Sequence, residues 1–135
     1  MKAYFLDTGF LIALEALDDE LHEAAVAMWS EALEKRSRFV TSSYVLDEVA
    51  TFFNSRGHHA KAVAIGEALL RSKYASLVHV DQSLFDDAWR LFTRRADKRY
   101  SLTDCVSFIL MKRLRLKAAL TFDKHFSQEG FDRLP

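Results

Sequence analysis

Short apolar segments alternate with long amphipathic segments along most of this chain. Residues 3–6, 38–41, 76–80 and 117–121 have the length and composition of buried strands. A weak last strand is expected around Phe131. Strands that alternate with helices favour a parallel sheet covered on both faces. We therefore predict an α/β fold whose ligands bind beyond the carboxyl ends of the strands.

Helical periodicity and capping residues mark the segments between the strands. The predicted helices cover residues 20–35, 43–54, 58–73, 81–98 and 101–116. A turn after the first strand leads into a further helix near Thr8. Ser42 or Ser43 caps the helix over residues 43–54, Gly57 ends that helix, and Ser101 opens the helix over residues 101–116. The segments on either side of Gly57 are expected to pack as an antiparallel pair.

Length and composition favour one soluble domain. A chain of 135 residues can bury a real core but is short for two domains, so we predict a single domain over residues 1–135. The lone Cys105 excludes an internal disulfide and suits a reducing cytoplasm. Asp7 interrupts the apolar N-terminal stretch, which argues against a signal peptide. The longest apolar run, residues 106–111, is too short to span a bilayer. We expect a cytoplasmic protein with no membrane partner.

The charges balance overall but are unevenly distributed. The 19 basic residues match the 19 acidic ones, which argues against coating nucleic acid by bulk charge. Residues 1–34 hold eight acids against Lys2 alone, so they total −7 and the remainder totals +7. Two basic clusters consist of Arg90, Arg94, Arg95, Lys98 and Arg99, and of Lys112, Arg113, Arg115 and Lys117. We interpret most of these charges as solvated helix faces, with a phosphate path for a subset as the alternative.

Three aspartates occupy positions where an active site of this architecture would form. Asp7 ends the first strand and Asp123 follows the fourth, so both belong to one edge of the sheet. Asp104 lies in the first turn of the helix opened by Ser101. Each has an ordinary structural explanation, because Asp7 could cap a helix, Asp123 could cap a turn, and Asp104 has capping-box spacing from Ser101.

Glu48 is harder to explain by structure alone. The apolar stripe of its helix includes Val45 and Phe52, and Glu48 lies on the flank of that stripe. The neighbouring Asp47 points to the opposite, solvated side. A partly desolvated carboxylate is costly unless a cation or a donor meets it. Glu48 is therefore the fourth candidate.

Carboxylates gathered at one strand edge repel one another, and their pKa values rise unless positive charge arrives. The five histidines are scattered, and no pair has the spacing of a zinc site. We therefore expect an all-oxygen site without a histidine or cysteine ligand. Hard divalent cations prefer such oxygen ligands, so the sequence favours Mg²⁺ or Mn²⁺.

Four segments in order carry a family pattern. They are YFLDT at residues 4–8, TSSYVLDE at 41–48, SLTD at 101–104 and LTFDKHF at 120–126. Together they resemble the PIN-domain nucleases, particularly the small VapC-like toxins, over essentially the whole chain. The resemblance implies a three-layer α/β/α sandwich around a parallel sheet of four or five strands.

The resemblance also implies the roles of residues. It places the catalytic, metal-binding acids at Asp7, Glu48, Asp104 and Asp123. Asp7, Asp104 and Asp123 would be ligands, and Glu48 either a ligand or the base that positions water. Thr8 and Thr121 are candidates for orienting ligands or water, or are ordinary turn and strand-end threonines. His125 is treated as a loop residue able to approach substrate.

The activity implied is metal-dependent endoribonuclease cleavage of RNA by a metal-activated water, leaving a 5′-phosphate and a 3′-hydroxyl. The family further implies a homodimer and, in a toxin–antitoxin module, a small antitoxin partner. The exposed part of the helical pair 43–54 and 58–73 is the candidate antitoxin surface, with ordinary packing as the alternative.

Rival functions fit less well. A catalytically inactive PIN-like scaffold acting through protein or RNA partners is the main alternative, against which the intact acidic quartet argues. A haloacid-dehalogenase-type phosphotransferase needs a second aspartate two residues after Asp7, where Gly9 stands. A nucleotide-binding domain would need a glycine-rich phosphate motif, and the chain has none.

Overall fold

The computed structural model describes residues 2–135 of the chain. Five strands and seven helices follow one another in the order β1 Ala3–Leu6, α1 Thr8–Glu15, α2 His22–Glu34, β2 Arg38–Ser42, α3 Ser43–Ser55, α4 His59–Arg71, β3 Ala75–Val78, α5 Gln82–Arg94, α6 Leu102–Arg113, β4 Ala118–Leu120, α7 His125–Gln128 and β5 Asp132–Leu134. The predicted alternation of strands and helices is confirmed.

The five strands form one parallel sheet in the order β3-β2-β1-β4-β5. Leu6 of β1 pairs with Leu120 of β4, so these two strands end side by side. The chain moves outward from β1 to β2 and β3, and then returns to the other side of β1 for β4. The order of strands therefore reverses between β1 and β4, where ligands bind in open α/β sheets.

Helices flank the sheet and supply most of the core. On α6 every residue from Thr103 to Phe108 is buried, as are Leu110 and Met111, so this helix lies in the interior. Fully buried aromatic rings from the sheet and the helices complete the packing, among them Phe5, Phe39, Phe108 and Phe126. The fold is the flanked parallel sheet that the sequence predicts, with five strands.

The pair formed by α3 and α4 is also confirmed. The Ser42 hydroxyl accepts a hydrogen bond from the Val45 N–H at 3.3 Å, which identifies Ser42 rather than Ser43 as the N-cap. Gly57 has a φ of 81°, a left-handed conformation that glycine adopts without a steric cost. The chain reverses there, and α3 packs closely against α4.

Some predicted boundaries are wrong. Helix α5 ends at Arg94 instead of about residue 98, because the next four residues offer no apolar side chain that the core takes up. The short helix α7 lies partly in the segment expected to be a loop, whereas the last strand, Asp132–Leu134, lies where a strand was predicted. Among residues 2–135, no helix has the length and apolarity needed to cross a bilayer.

Candidate active site

Asp7 follows β1 at the point where the strand order reverses. It occupies the N-cap position of α1, but its carboxylate makes no capping hydrogen bond. Instead, Oδ2 accepts a hydrogen bond from the Thr121 hydroxyl at 2.7 Å. The side chain is almost fully buried, and this desolvation raises the pKa of Asp7 to about 7, with the neighbouring Asp104 and Asp123 adding to the rise against the Thr121 hydrogen bond. The capping explanation of Asp7 is wrong, because its side chain faces other acids.

Asp104 has a structural role and a place in the same cluster. The Ser101 backbone N–H donates to its Oδ2 at 3.0 Å, and the Ser101 hydroxyl accepts from the Asp104 N–H at 2.9 Å. These two bonds form the predicted capping box. Burial nevertheless raises the pKa of Asp104, and the charge of Asp123 contributes.

Asp123 is connected to Asp7 through one hydroxyl group. The Asp123 backbone N–H donates to the Thr121 Oγ1 at 3.0 Å, and that same hydroxyl donates to Asp7. The Asp123 Oδ1 accepts from the His125 backbone N–H at 2.9 Å, which is the local turn expected from the sequence. Its carboxylate is only half-buried and remains accessible from the cavity.

Glu48 reaches the site from α3. Its Oε1 accepts a hydrogen bond from the Thr8 hydroxyl at 2.7 Å, across 40 positions of sequence. Glu48 is half-buried, whereas Asp47 is exposed, as the helical periodicity predicts. Thr8 and Thr121, the two threonines that the sequence singles out, therefore each donate a hydrogen bond to a different predicted acid.

All four predicted acids line one cavity of about 510 Å³ at the carboxyl edge of the sheet. The structure thus brings together side chains from the residue after β1, from α3, from α6 and from the loop after β4. Arg99 is the one lysine or arginine that lines this cavity within residues 2–135. Four carboxylates and a single cation give the cavity a negative electrostatic potential, which favours the binding of a cation over an anion.

His125 lies beside two of the predicted acids, although the sequence predicts an all-oxygen site. Its Nδ1 is 3.2 Å from Asp123 Oδ1 and 3.6 Å from Asp104 Oδ2. The nitrogen is buried, and despite these short distances its geometry gives no hydrogen bond within the described residues. The Tyr100 ring packs edge-on against the imidazole, with centroids 5.2 Å apart. Local sequence patterns do not predict this placement, because it brings together α6 and the segment after β4.

The donor set fits a divalent cation. One ligand atom each from Asp104, Asp123 and His125 lie within 4.8 Å of one another, a spacing that one metal ion can bridge. The Nδ1 atom of His125 is buried between two carboxylates without a hydrogen-bond partner, and a metal ion would give it one. A bound cation would also lower the raised pKa of Asp7. Oxygen donors suit Mg²⁺ and Mn²⁺, and an imidazole donor adds weight to Mn²⁺ over Mg²⁺.

The residues of the two basic clusters of the sequence differ in their contacts. Arg90 and Arg113 pair with Asp87, and Arg95 and Lys112 pair with Glu129, as structural ion pairs. Arg99 alone of these clusters lines the acidic cavity. Sequence spacing did not distinguish Arg99, because its position is set by the irregular segment between α5 and α6.

The five-stranded parallel sheet, with its acidic cavity where the strand order reverses, agrees with the architecture that the resemblance to the PIN-domain nucleases implies. The family model described as "PIN domain" matches residues 4–131, and the chain belongs to this family.

The sequence is 35% identical over 127 residues to the 23S rRNA-specific endonuclease VapC20 of Mycobacterium tuberculosis, in strains CDC 1551 / Oshkosh and ATCC 25618 / H37Rv, covering 94% of both chains. The crystal structure of Mycobacterium tuberculosis VapC20, described as a Sarcin-Ricin loop cleaving toxin, matches with a TM-score of 0.86 at 34% identity, covering 95% of each chain. VapBC-1 of nontypeable Haemophilus influenzae shares the fold at 13% identity, with a TM-score of 0.67 and coverage of 97% of this chain and 96% of the other.

Proposed function

We propose that this protein is a metal-dependent endoribonuclease and the toxin of a toxin–antitoxin pair. The observation that carries the proposal is the single cavity lined by Asp7, Glu48, Asp104 and Asp123 in a chain of the PIN family. The relatives that match over nearly the whole chain include a 23S rRNA endonuclease, which supports RNA as the substrate.

The proposed metal ligands are Asp7, Asp104 and Asp123, with Mg²⁺ or Mn²⁺ as the ion. His125 is a further candidate ligand because of its place between two of these carboxylates. When bound, the ion would lower the pKa of a water molecule and stabilise charge on the scissile phosphate. Binding also requires Asp7 to be ionised, so the raised pKa of Asp7 couples metal affinity to pH near neutrality.

The protein's own side chains would orient the reaction. Thr121 holds the Asp7 carboxylate, and Thr8 holds Glu48 with one oxygen engaged, leaving the other free for a water molecule. Glu48 would position that water for in-line attack on phosphorus. The bond from phosphorus to the 3′ oxygen breaks and this oxygen takes up a proton, leaving a 3′-hydroxyl and a 5′-phosphate.

Arg99 is suited to hold a phosphate oxygen at the cavity. It is exposed, and within residues 2–135 it forms no ion pair with a carboxylate. A guanidinium binds phosphate in a bidentate fashion and offsets the repulsion between the acids and the RNA backbone.

A cleavage assay with matched variants tests the proposal. Purified protein is incubated with an RNA stem-loop carrying the sarcin–ricin sequence and Mn²⁺, and the product ends are identified. We expect 5′-phosphate products from the wild type and none from Asp7→Asn, because the amide keeps the shape and removes the charge. Asp47→Asn is the control, since Asp47 is exposed on the opposite side of α3 from the core.

Two results would contradict this function. Full activity of Asp7→Asn would remove the acidic cluster from the mechanism. RNA binding by the wild type without any cleavage in Mg²⁺ or Mn²⁺ would instead favour the catalytically inactive scaffold.

An antitoxin is proposed to bind the exposed part of the pair formed by α3 and α4. Val63 and Leu70 of α4 remain 47% and 52% exposed. Exposed apolar side chains on one helix pair are suited to receive an apolar segment of a partner. The double variant Val63→Asp/Leu70→Asp should no longer co-purify with the cognate antitoxin, while RNA cleavage persists. If the variant still binds the antitoxin, the antitoxin binds another surface.

The homodimer, the single domain over residues 1–135 and the cytoplasmic location remain predictions. Light scattering at several protein concentrations measures the oligomer directly, and we expect twice the mass of the chain. Action on ribosomal RNA would place the protein in the cytoplasm.

A further inference from the structure

A second large cavity lies at the opposite edge of the sheet from the acidic site. Its volume is about 960 Å³, and it is bordered by the start of β1, the turn before β4 and the edge strand β5. Four basic residues line it, namely Lys2, Arg115, Lys117 and Arg133, with Asp132 as the one carboxylate. We call this cavity, defined by those four basic residues, the basic cleft.

The charges of the basic cleft are available for a ligand. All four basic residues are exposed, and within residues 2–135 none forms an ion pair with a carboxylate. In the same stretch of sequence, Lys112 and Arg113 are held by Glu129 and Asp87. The second basic cluster is thus split into paired charges and free charges, and the free ones face the cleft.

One hydrogen bond connects a residue of the basic cleft to a residue of the acidic site. Arg133 lines the cleft, and its Nη1 donates to the Phe122 carbonyl oxygen at 3.3 Å. Phe122 in turn lines the acidic cavity. The edge strand β5 therefore carries a positive charge from one cavity toward the other.

We infer that the basic cleft binds the phosphate backbone of the RNA on one side of the scissile bond. This inference rests on the proposed ribonuclease function. The chain has no net charge, and its acidic cavity repels phosphate, so RNA affinity needs a local group of cations away from that cavity. Arg99 supplies one cation, and the basic cleft supplies four.

The distance suits a short stretch of RNA. A strand of four residues such as β1 is about 13 Å long at roughly 3.3 Å per residue. This equals the rise of about four nucleotides of one helical strand at roughly 3.4 Å each. A structured stem-loop can therefore reach both sites at once, whereas a substrate of two or three nucleotides reaches the acidic site alone.

The same edge of the sheet provides a matched control. Arg36, Arg38 and Lys73 are exposed, line a separate cavity beside β2 and β3, and also lack ion pairs within residues 2–135. Arg36 and Arg115 both have a left-handed backbone, with φ values of 53° and 57°. Glycine replaces either one without strain, so both charges can be removed without threatening the fold.

The test compares Arg115→Gly/Lys117→Gln/Arg133→Gln with Arg36→Gly/Arg38→Gln/Lys73→Gln. Binding to a stem-loop of about 30 nucleotides is measured in EDTA at several salt concentrations, and cleavage of a trinucleotide is measured with Mn²⁺. We expect the cleft variant to bind the stem-loop about tenfold more weakly, with a salt slope reduced by roughly two. Its trinucleotide cleavage should equal that of the wild type. The control variant should bind within about twofold of wild type.

Each other outcome overturns the inference. Unchanged RNA affinity of the cleft variant would show that RNA does not bind the basic cleft. An equal loss of RNA affinity in the control variant would show that only the total charge of the protein matters. Polyglutamate is measured in the same binding assay. If the cleft variant loses affinity for polyglutamate but not for RNA, the cleft instead binds an acidic protein segment. Absence of cleavage by the wild type on any RNA would count against the proposed function, which is a separate failure.

Discussion

The hydroxyl of Thr121 donates a 2.7 Å hydrogen bond to the carboxylate of Asp7, joining two residues 114 positions apart in the sequence. The same oxygen accepts the backbone N–H of Asp123 at 3.0 Å. One buried hydroxyl at the end of β4 thus fixes an acid on each side of the switch point. This link therefore fixes the relative positions of the two acids.

Thr121→Val tests this link with a side chain of similar shape. The loss of the hydrogen bond should raise the pKa of Asp7 above its present value, because that bond lowers it. We expect Mn²⁺ affinity, measured by calorimetry at pH 7, to fall by about 10- to 100-fold, with a similar fall in RNA cleavage. Thr121→Ser keeps the hydroxyl and should restore most of both, so equal losses in the two variants would refute a role for the hydrogen bond.

Stability without metal should depend on pH because of Asp7. Its pKa is 3.8 when unperturbed and about 7 in the folded protein, so folding favours the protonated acid. This contribution to stability is complete below pH 3.8 and is lost as the pH rises through about 7. Between pH 5 and pH 8 the free energy of unfolding should fall by on the order of 2 kcal/mol from this group.

Urea denaturation of wild type and Asp7→Asn in EDTA measures the effect. The variant should be more stable than wild type at pH 8 and should lose most of this pH dependence. Addition of Mn²⁺ at pH 8 should stabilise the wild type, since a ligand that binds only the folded state shifts the equilibrium toward it. Parallel pH curves for the two proteins would contradict the burial of an ionisable Asp7.

Asp104 combines two roles that mutation can separate. Ser101→Ala removes the hydroxyl cap and should cost about 1 kcal/mol of stability, while RNA cleavage falls only modestly. Asp104→Asn can still accept the Ser101 N–H, so it should fold nearly as well but lose cleavage. Thermal denaturation and cleavage rates on both variants check this; normal cleavage by Asp104→Asn would leave the residue with a capping role alone.

Glu48 and Asp47 are neighbouring acids on α3, of which only Glu48 reaches the acidic cavity. Glu48→Gln should lower the cleavage rate by about 100-fold or more, because the amide no longer acts as a base and binds cations poorly. The amide oxygen can keep the hydrogen bond from Thr8, so the melting temperature should change little. Asp47→Asn should leave the rate unchanged, and similar rates for the two variants would remove Glu48 from the mechanism.

The sequence predicts the frame of the molecule and the identity of the acids. Strand ends fix where Asp7 and Asp123 emerge, and helical periodicity separates Glu48 from Asp47, since both depend on local geometry alone. The spacing between Ser101 and Asp104 predicts a capping box that the structure contains. These features are encoded within a few residues of the chain.

Other features depend on how distant segments meet, which local patterns do not encode. His125 lies 3.6 Å from Asp104, in a site that the sequence predicts to hold oxygen ligands alone. The ion pairs of Glu129 with Arg95 and Lys112 determine which basic residues are neutralised. The free charges of Arg99 and the basic cleft follow from that tertiary pairing.

Anomalous scattering from Mn²⁺ in a crystal of the protein tests the central claim most directly. We expect a peak in the acidic cavity, about 2 Å from oxygen atoms of at least two of Asp7, Asp104 and Asp123, and its disappearance in Asp7→Asn. A cavity without such a peak at saturating Mn²⁺, in a preparation that still cleaves RNA, would contradict it.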